Sequence, residues 1–310
     1  MVQKTYETIG FIGTGHMGAP MASCLHRAGH ALVLLDADRQ AAQRLACELG
    51  GSVRVATTGA ELAADCDLVI TMLPTSAIVR AVLSGDEGVL SGLRPGTPVL
   101  DMTSGIPHET QRLSGEVERA GGILLDAPVS GGVARARAGE LTIMVGGAAA
   151  WVEAVHPVLA AMGTQVLHVG ATGSGHAMKA LNNLVSAGGF LIGIEALMIG
   201  QRFGLDPGAM VDVLNASTGM NNSTQKKFRQ YVLSRSFASG FGLDLMVKDL
   251  TIALSIATAE GTPAPFSALC RELWASGAGM LGPGQDHTAI ARLVEALAHT
   301  ELGVASQVDT

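Results

Sequence analysis

The sequence predicts an α/β fold: a Rossmann-type doubly wound parallel sheet, followed by an all-α domain and joined to it by a long interdomain helix. Three observations predict it. Short apolar runs alternate with helical stretches up to about residue 170. A glycine-rich turn lies between the first such run and the first helix. Past residue 170 the strand pattern stops and only helical patterns follow.

Runs at 8–12, 31–35, 68–72, 98–101, 123–126, 142–145 and 165–169 read as strands. They are apolar on both alternations, as strands are when helices cover both faces of a sheet. Segments 20–28, 39–49, 77–83, 108–120 and 149–162 read as the helices between them, and repeated βα units imply double winding. Segment 175–203 reads as one helix of unusual length that ends at Gly204. Asp206-Pro207 then supplies an N-cap with proline at the first helical position. Helical patterns continue at 243–260, 266–275 and 286–299. The expected domains are a dinucleotide-binding unit over 1–170 and an all-α substrate and oligomerisation unit over 171–310.

Of the 310 residues, 48% are apolar and 15% charged. A chain so poor in charge hides surface in a large core or between subunits, so a homodimer or homotetramer is expected. The net charge is −7 and Lys and Arg form no basic stripe, which argues against nucleic acid or an anionic membrane as partner. No apolar run of signal-peptide length precedes the first glycine motif, so a cytoplasmic location is expected. The apolar segment 184–200 is interrupted by Glu195 and several glycines, and reads as a buried helix rather than a membrane span. Cys24, Cys47, Cys66 and Cys270 lack C-x-x-C spacing and read as reduced structural thiols. The nine histidines show no paired ligand spacing, so no metal is expected.

Gly13-Thr14-Gly15-His16-Met17-Gly18 fits G-x-G-x-x-G between a strand and a helix. The first glycine permits the tight turn, the second lets a pyrophosphate approach the backbone, and the third lets helix and strand pack closely. The helix N-terminus then meets the phosphate charge. Asp36 ends the second strand, 18 residues past Gly18, where a carboxylate can bond the ribose hydroxyls of NAD and repel the 2′-phosphate of NADP. NADP would call for a basic residue near position 37, which is Ala37; Arg39 reads as a first-turn residue of the next helix. NAD is therefore expected over NADP. Met72-Leu73-Pro74 ends another strand, so that the backbone at Leu73 and Pro74 lines the cofactor groove.

Ser130-Gly131-Gly132 follows a strand end, the usual place for ligand contacts in an open α/β sheet. A hydroxyl and two unobstructed backbone N–H groups suit a carboxylate, and they suit a ligand-free turn equally well. Lys179 and Asn183 are four apart and project from one face of the long helix. A lysine there is ordinarily a snorkelling residue. Desolvated in a cleft, it would instead exchange protons near neutral pH. Lys248 has Asp244 four residues before it, the order of an exposed helical ion pair.

Taken in order, GFIGTGHMG (10–18), MLP (72–74), DAPVSGG (126–132), GSGHAMK (173–179) with Asn182-Asn183, and KDL (248–250) resemble the β-hydroxyacid dehydrogenase family over essentially the whole chain. That family includes 3-hydroxyisobutyrate dehydrogenase and tartronate semialdehyde reductase. The resemblance implies that Lys179 is the catalytic acid/base and that Ser130, Gly131, Gly132 and Asn183 bind substrate. It implies that Lys248 stands beside the nicotinamide half of the cofactor. It also assigns Ser104 to the cofactor, although Gly105 interrupts the family's paired Ser/Thr-then-Pro pattern at Asp101-Met-Thr-Ser104.

The implied reaction is NAD-dependent oxidation of the 3-hydroxyl of a small 3-hydroxy acid, or its reverse. Close alternatives are tartronate semialdehyde reduction and oxidation of a serine- or threonine-type acid. A 6-phosphogluconate-type decarboxylase would need a longer helical part, and an imine reductase would usually lack the helix lysine. A NAD-sensing or scaffold module would typically have lost Lys179 or the Ser-Gly-Gly segment, and both are intact.

Overall fold

The computed structural model describes residues 6–303, and the chain divides into two compact units at Lys179/Ala180. Among its described residues the first unit holds nine strands: β1 (Thr8–Ile12), β2 (Ala31–Leu35), β3 (Val53–Val55), β4 (Leu68–Thr71), β5 (Pro98–Asp101), β6 (Ile123–Asp126), β7 (Val129–Ser130), β8 (Leu141–Gly146) and β9 (Gly163–Gly170). The sheet runs β3-β2-β1-β4-β5-β6 with every neighbour parallel. Winding goes outward from β1 to β3, then restarts at β4 on the other side of β1. The β1/β4 boundary is thus the switch point at which such sheets bind ligands.

Beyond β6 the sheet departs from the all-parallel expectation. Strand β8 runs antiparallel to both β6 and β7, pairing Asp126 with Gly146, Val129 with Ile143 and Ser130 with Thr142 in one continuous register. Strand β9 is again parallel to β8. The chain makes the reversal through the seven-residue helix Gly132–Ala138, which ends on Gly139 in the left-handed region (φ 71°). A connection that short can return a strand antiparallel but cannot carry a parallel crossover.

Alternation along the strands builds two cores. Ile9, Phe11, Leu32, Leu34, Leu68, Ile70 and Leu100 share one apolar cluster, and Ile12, Val33, Val69, Val99 and Leu124 the other. Side-chain caps start several of the covering helices. Asp38 accepts from the amides of Gln40 and Ala41, Thr58 from Glu61, and Thr75 from Ile78. Each such cap contributes about 1 kcal/mol.

The long helix Ser174–Phe203 is uninterrupted over 30 residues. In the second unit its Ala187, Phe190, Leu191, Ile194, Leu197 and Met198 enter a core with Phe228, Met246, Leu250 and Trp274. Phe190 meets Phe228 edge-on, with ring centroids 5.3 Å apart. This apolar helix is therefore a core element, although length and composition alone would let it span a membrane. Asp206 caps Pro207–Asn215 through the amide of Ala209, as the sequence predicts. Helices Leu243–Ala259, Pro265–Leu281 and Ala291–Ala298 follow, the last preceded by a 3₁₀ turn at His287–Ile290. Among the described residues of this unit there is no strand, only an isolated bridge between Gly242 and Asp286.

Candidate active site

The glycine loop is built by exclusion. A Cβ at Gly13 (φ 97°) would lie 2.3 Å from the carbonyl oxygen of Met72, and one at Gly18 would lie 1.8 Å from that of Gly13. Only glycines let the helix Gly18–Arg27 start hard against the ends of β1 and β4. Gly15 differs: nothing lies within 4 Å of a Cβ built there. Gly15 and His16 are exposed and Met17 is half-buried. Open space beside a helix N-terminus suits a pyrophosphate, so the loop fits a dinucleotide.

Asp36, just past β2, is tied to this loop. Its Oδ2 accepts from the Thr14 amide (2.6 Å) and the Thr14 hydroxyl (2.9 Å), and its Oδ1 from the Asp38 amide (2.8 Å). A carboxylate has roughly four acceptor directions, so Asp36 keeps room for a ribose hydroxyl while it staples the loop to the strand end. Leu73 neighbours Gly13, and its amide donates to the Thr103 hydroxyl at 3.1 Å. Pro74 follows, exposed. The buried Asp101 carboxylate, at the end of β5, accepts from the Thr71 hydroxyl (2.9 Å) and the Thr103 amide (3.1 Å). Ser104 comes next, half-buried. The predicted cofactor residues of this unit thus gather at the carboxyl ends of β1, β2, β4 and β5.

Ser130 is the last residue of β7, and Gly131 (φ 142°) and Gly132 (φ 71°) turn the chain into the next helix. Both glycines are exposed. A side chain at Gly131 would be strained whatever the ligand, since its φ is one that L residues rarely adopt. Four residues before Ser130, Asp126 turns its fully buried carboxylate onto the start of the long helix. Its Oδ1 accepts from the Gly173 amide (2.6 Å) and its Oδ2 from the His176 amide (2.8 Å). His176 is buried, bonded to the Thr110 hydroxyl at 2.8 Å, and fills the place of a side chain at Gly105. Lys179 lies three residues after His176, only 8% exposed. Strand β6, the loop after β5 and the first turns of the helix therefore hold Lys179 in a fixed frame.

In the second unit, Asn183 is 7% exposed, one helical turn past Lys179 in sequence. Its Nδ2 donates to Asp249 Oδ2 at 2.6 Å, and its Oδ1 accepts from Asn182 at 3.1 Å. Lys248 Nζ lies 3.4 Å from Asp249 Oδ1. Lys248 thus forms an ion pair with its sequence neighbour, a contact that helical spacing does not suggest.

Residues 8–170 match the family described as the NAD binding domain of 6-phosphogluconate dehydrogenase. Residues 173–294 match the one described as NAD-binding of NADP-dependent 3-hydroxyisobutyrate dehydrogenase. The chain is 36% identical over 290 residues to 2-(hydroxymethyl)glutarate dehydrogenase of Eubacterium barkeri, covering 93% of this chain and 94% of that one. It is 37% identical to the mitochondrial 3-hydroxyisobutyrate dehydrogenase of Mus musculus, covering 88% and 82%. Among solved structures, 3-hydroxyisobutyrate dehydrogenase of Mycobacterium tuberculosis with L-serine superposes with a TM-score of 0.86 at 33% identity, over 94% of this chain and 99% of that one.

The chain belongs to the β-hydroxyacid dehydrogenase family. It is an oxidoreductase acting on the CH–OH group of a hydroxy acid.

Several residues that frame the site of this β-hydroxyacid dehydrogenase escape sequence reasoning. Asp126 and Asp249 stand inside the quoted motifs, yet nothing in spacing says that one caps a helix begun 48 residues later or that the other holds Asn183. Gly105, an irregularity in the sequence, has a plain cause, since the His176 ring occupies the space a Cβ would need. In this β-hydroxyacid dehydrogenase a glycine at 105 lets the loop after β5 close over the helix start.

Proposed function

We propose that this dehydrogenase uses NAD to oxidise the 3-hydroxyl of a small 2-substituted 3-hydroxypropanoate, HOCH2–CH(R)–COO⁻, of the 3-hydroxyisobutyrate kind, or runs the reverse reduction. The observation that carries the reading is Lys179, buried at the start of a helix whose end is fixed by Asp126. A lysine amine at such a place can exchange a proton with a substrate hydroxyl as general acid/base. The names of the relatives support the substrate class: 2-(hydroxymethyl)glutarate, 3-hydroxyisobutyrate and serine all contain HOCH2–CH(R)–COO⁻. In this reading Ser130, Gly131 and Gly132 bind the carboxylate, and Asn183 holds the hydroxyl or the carboxylate. NAD supplies the hydride acceptor. Lys179 Nζ takes the hydroxyl proton as hydride leaves carbon 3, and returns it in the reverse direction. Asp36 and Ala37 support NAD over NADP.

The test is a screen of 2-substituted 3-hydroxypropanoates of both hands, each beside the alcohol that lacks the carboxylate, followed by the absorbance of reduced nicotinamide. The acids should be turned over and the alcohols should not. Equal rates for an acid and its alcohol would defeat the carboxylate seat, and no rate with any acid would defeat the substrate class.

We also propose that the chain forms homo-oligomers through the outer face of the long helix. Val185, Ile192 and Ile199 recur there at seven-residue steps and are 75%, 55% and 72% exposed, with Phe266 exposed beside Gly188. An exposed apolar stripe of this kind, interrupted by Glu195, ordinarily marks an interface. A stripe centred on Ile192 is self-complementary about a two-fold axis, since Val185 of one copy would face Ile199 of the other. Light scattering should find an oligomer in the unmodified protein and a smaller species in Ile192→Glu. A monomeric unmodified protein would end this proposal.

A further inference from the structure

Asp249 is a buried carboxylate of the second unit that the proposed reaction does not use. It sits on the helix Leu243–Ala259, 2% exposed, between buried apolar neighbours such as Met246, Leu250, Ile252 and Ala253. A carboxylate in such surroundings is costly unless partners compensate it. Its Oδ2 receives the Asn183 amide N–H at 2.6 Å, short enough for a charge-assisted bond. Its Oδ1 has no hydrogen-bond partner and faces the Lys248 ammonium at 3.4 Å.

The chemistry of this contact is one-sided. An ionised carboxylate only accepts, whereas an asparagine amide can present either its oxygen or its nitrogen. Asp249 therefore decides which way the Asn183 amide faces: nitrogen inward, with the oxygen taken by Asn182 at 3.1 Å. One N–H of Asn183 Nδ2 remains for a further acceptor. A negative charge on the first N–H also holds the amide plane against rotation.

We propose that Asp249 is a positioning residue, whose carboxylate fixes the Asn183 amide as a donor and tethers the Lys248 ammonium beside it. The proposal rests on the reading of Asn183 as a substrate contact and of Lys248 as a cofactor contact. It assigns Asp249 no contact with either ligand.

The test is a double-mutant cycle on the full chain with Asn183→Ala and Asp249→Leu, assayed with NAD and the best acid of the screen. Leucine removes both the charge and the acceptor but is the larger side chain, so Tm is measured beside the kinetics. A purely structural Asp249 would show itself as a lowered Tm with kcat and KM unchanged in the folded protein. A positioning Asp249 should leave Tm near its original value and raise KM for the acid by about 10- to 100-fold, the scale of a misplaced ligand group. In the Asn183→Ala background Asp249→Leu should then add little to KM, because the residue it orients is gone. Asp249→Asn keeps an acceptor for the Asn183 N–H, so it should recover much of the KM. It does not restore the charge, so the dissociation constant for NADH, read by nicotinamide fluorescence, should stay raised as in Asp249→Leu.

Unchanged KM in Asp249→Leu alongside a clear defect in Asn183→Ala would overturn the proposal alone. So would strictly additive effects. An Asn183→Ala variant with normal kinetics would instead overturn the substrate role of Asn183, and the proposal with it. If Asp249→Leu does not fold, Asp249→Asn carries the cycle, and an Asn variant with unchanged KM and unchanged NADH affinity overturns the proposal.

Discussion

Lys179→Ala should lower kcat by about two to four orders of magnitude, the usual contribution of a positioned general acid/base. The effect should fall on kcat more than on KM, because the proton moves in the chemical step whereas the carboxylate contacts are assigned to Ser130, Gly131 and Gly132. NADH affinity should change little, since the glycine loop and Asp36 are built by β1, β2 and β4 without Lys179. Lys179→Arg is the sharper control. Arginine keeps the positive charge but does not deprotonate in proteins, so a charge-only role would survive the change and a proton-transfer role would not. Substantial turnover in either variant would mean that another group handles the proton.

The second large effect is expected in cofactor choice. Placing a 2′-phosphate against the Asp36 carboxylate is a like-charge juxtaposition that costs several kcal/mol. At 1.4 kcal/mol for each factor of ten, kcat/KM with NADP should lie on the order of 100- to 1,000-fold below that with NAD. Asp36→Ala should narrow the gap. It should do so mainly by damaging NAD use, because the same carboxylate holds the Thr14 amide and hydroxyl at 2.6 and 2.9 Å. Asp36→Asn separates the two roles: it keeps an acceptor for Thr14 while removing the charge, so NADP should gain more in this variant than NAD loses. Equal kcat/KM for the two cofactors in the unmodified enzyme would defeat the assignment. An Asp36→Ala variant with undisturbed NAD kinetics would show that the staple to Thr14 does not matter.

Most of the parallel half of the sheet was legible because strands such as Ala31–Leu35 are apolar on both alternations and buried on both faces. The long helix was legible because 30 residues pass without a proline and then meet Gly204, whose φ is 103°. Strands β3 and β7, of three and two residues, were not, since so short a run shows no period. The antiparallel direction of β8 was hidden for a different reason. Side-chain alternation is the same in either direction, and only the shortness of the Gly132–Ala138 connection carries the information.

In the candidate site, the residues assigned to ligands stand in glycine-rich or polar motifs and announce themselves. Asp126 and Asp249 act at long range in the chain, on amides 47 and 66 residues away, and such pairings exist only once the fold has brought them together. Lys248 illustrates the limit, since spacing brings out only Asp244 as a possible partner, whereas the contact with Asp249 is seen in the fold.

The unbroken helix Ser174–Phe203 also constrains how genes of this family can be recombined. No loop separates Lys179 from Asn183, so only a length-preserving crossover there keeps the helical phase. Inserting or deleting one residue between them would rotate every later side chain of the helix by about 100°. Asn183 would then leave the helix face it shares with Lys179. Chimeras between relatives should tolerate joints at Gly204, where the helix already ends, far better than joints that shift length anywhere in the preceding 30 residues.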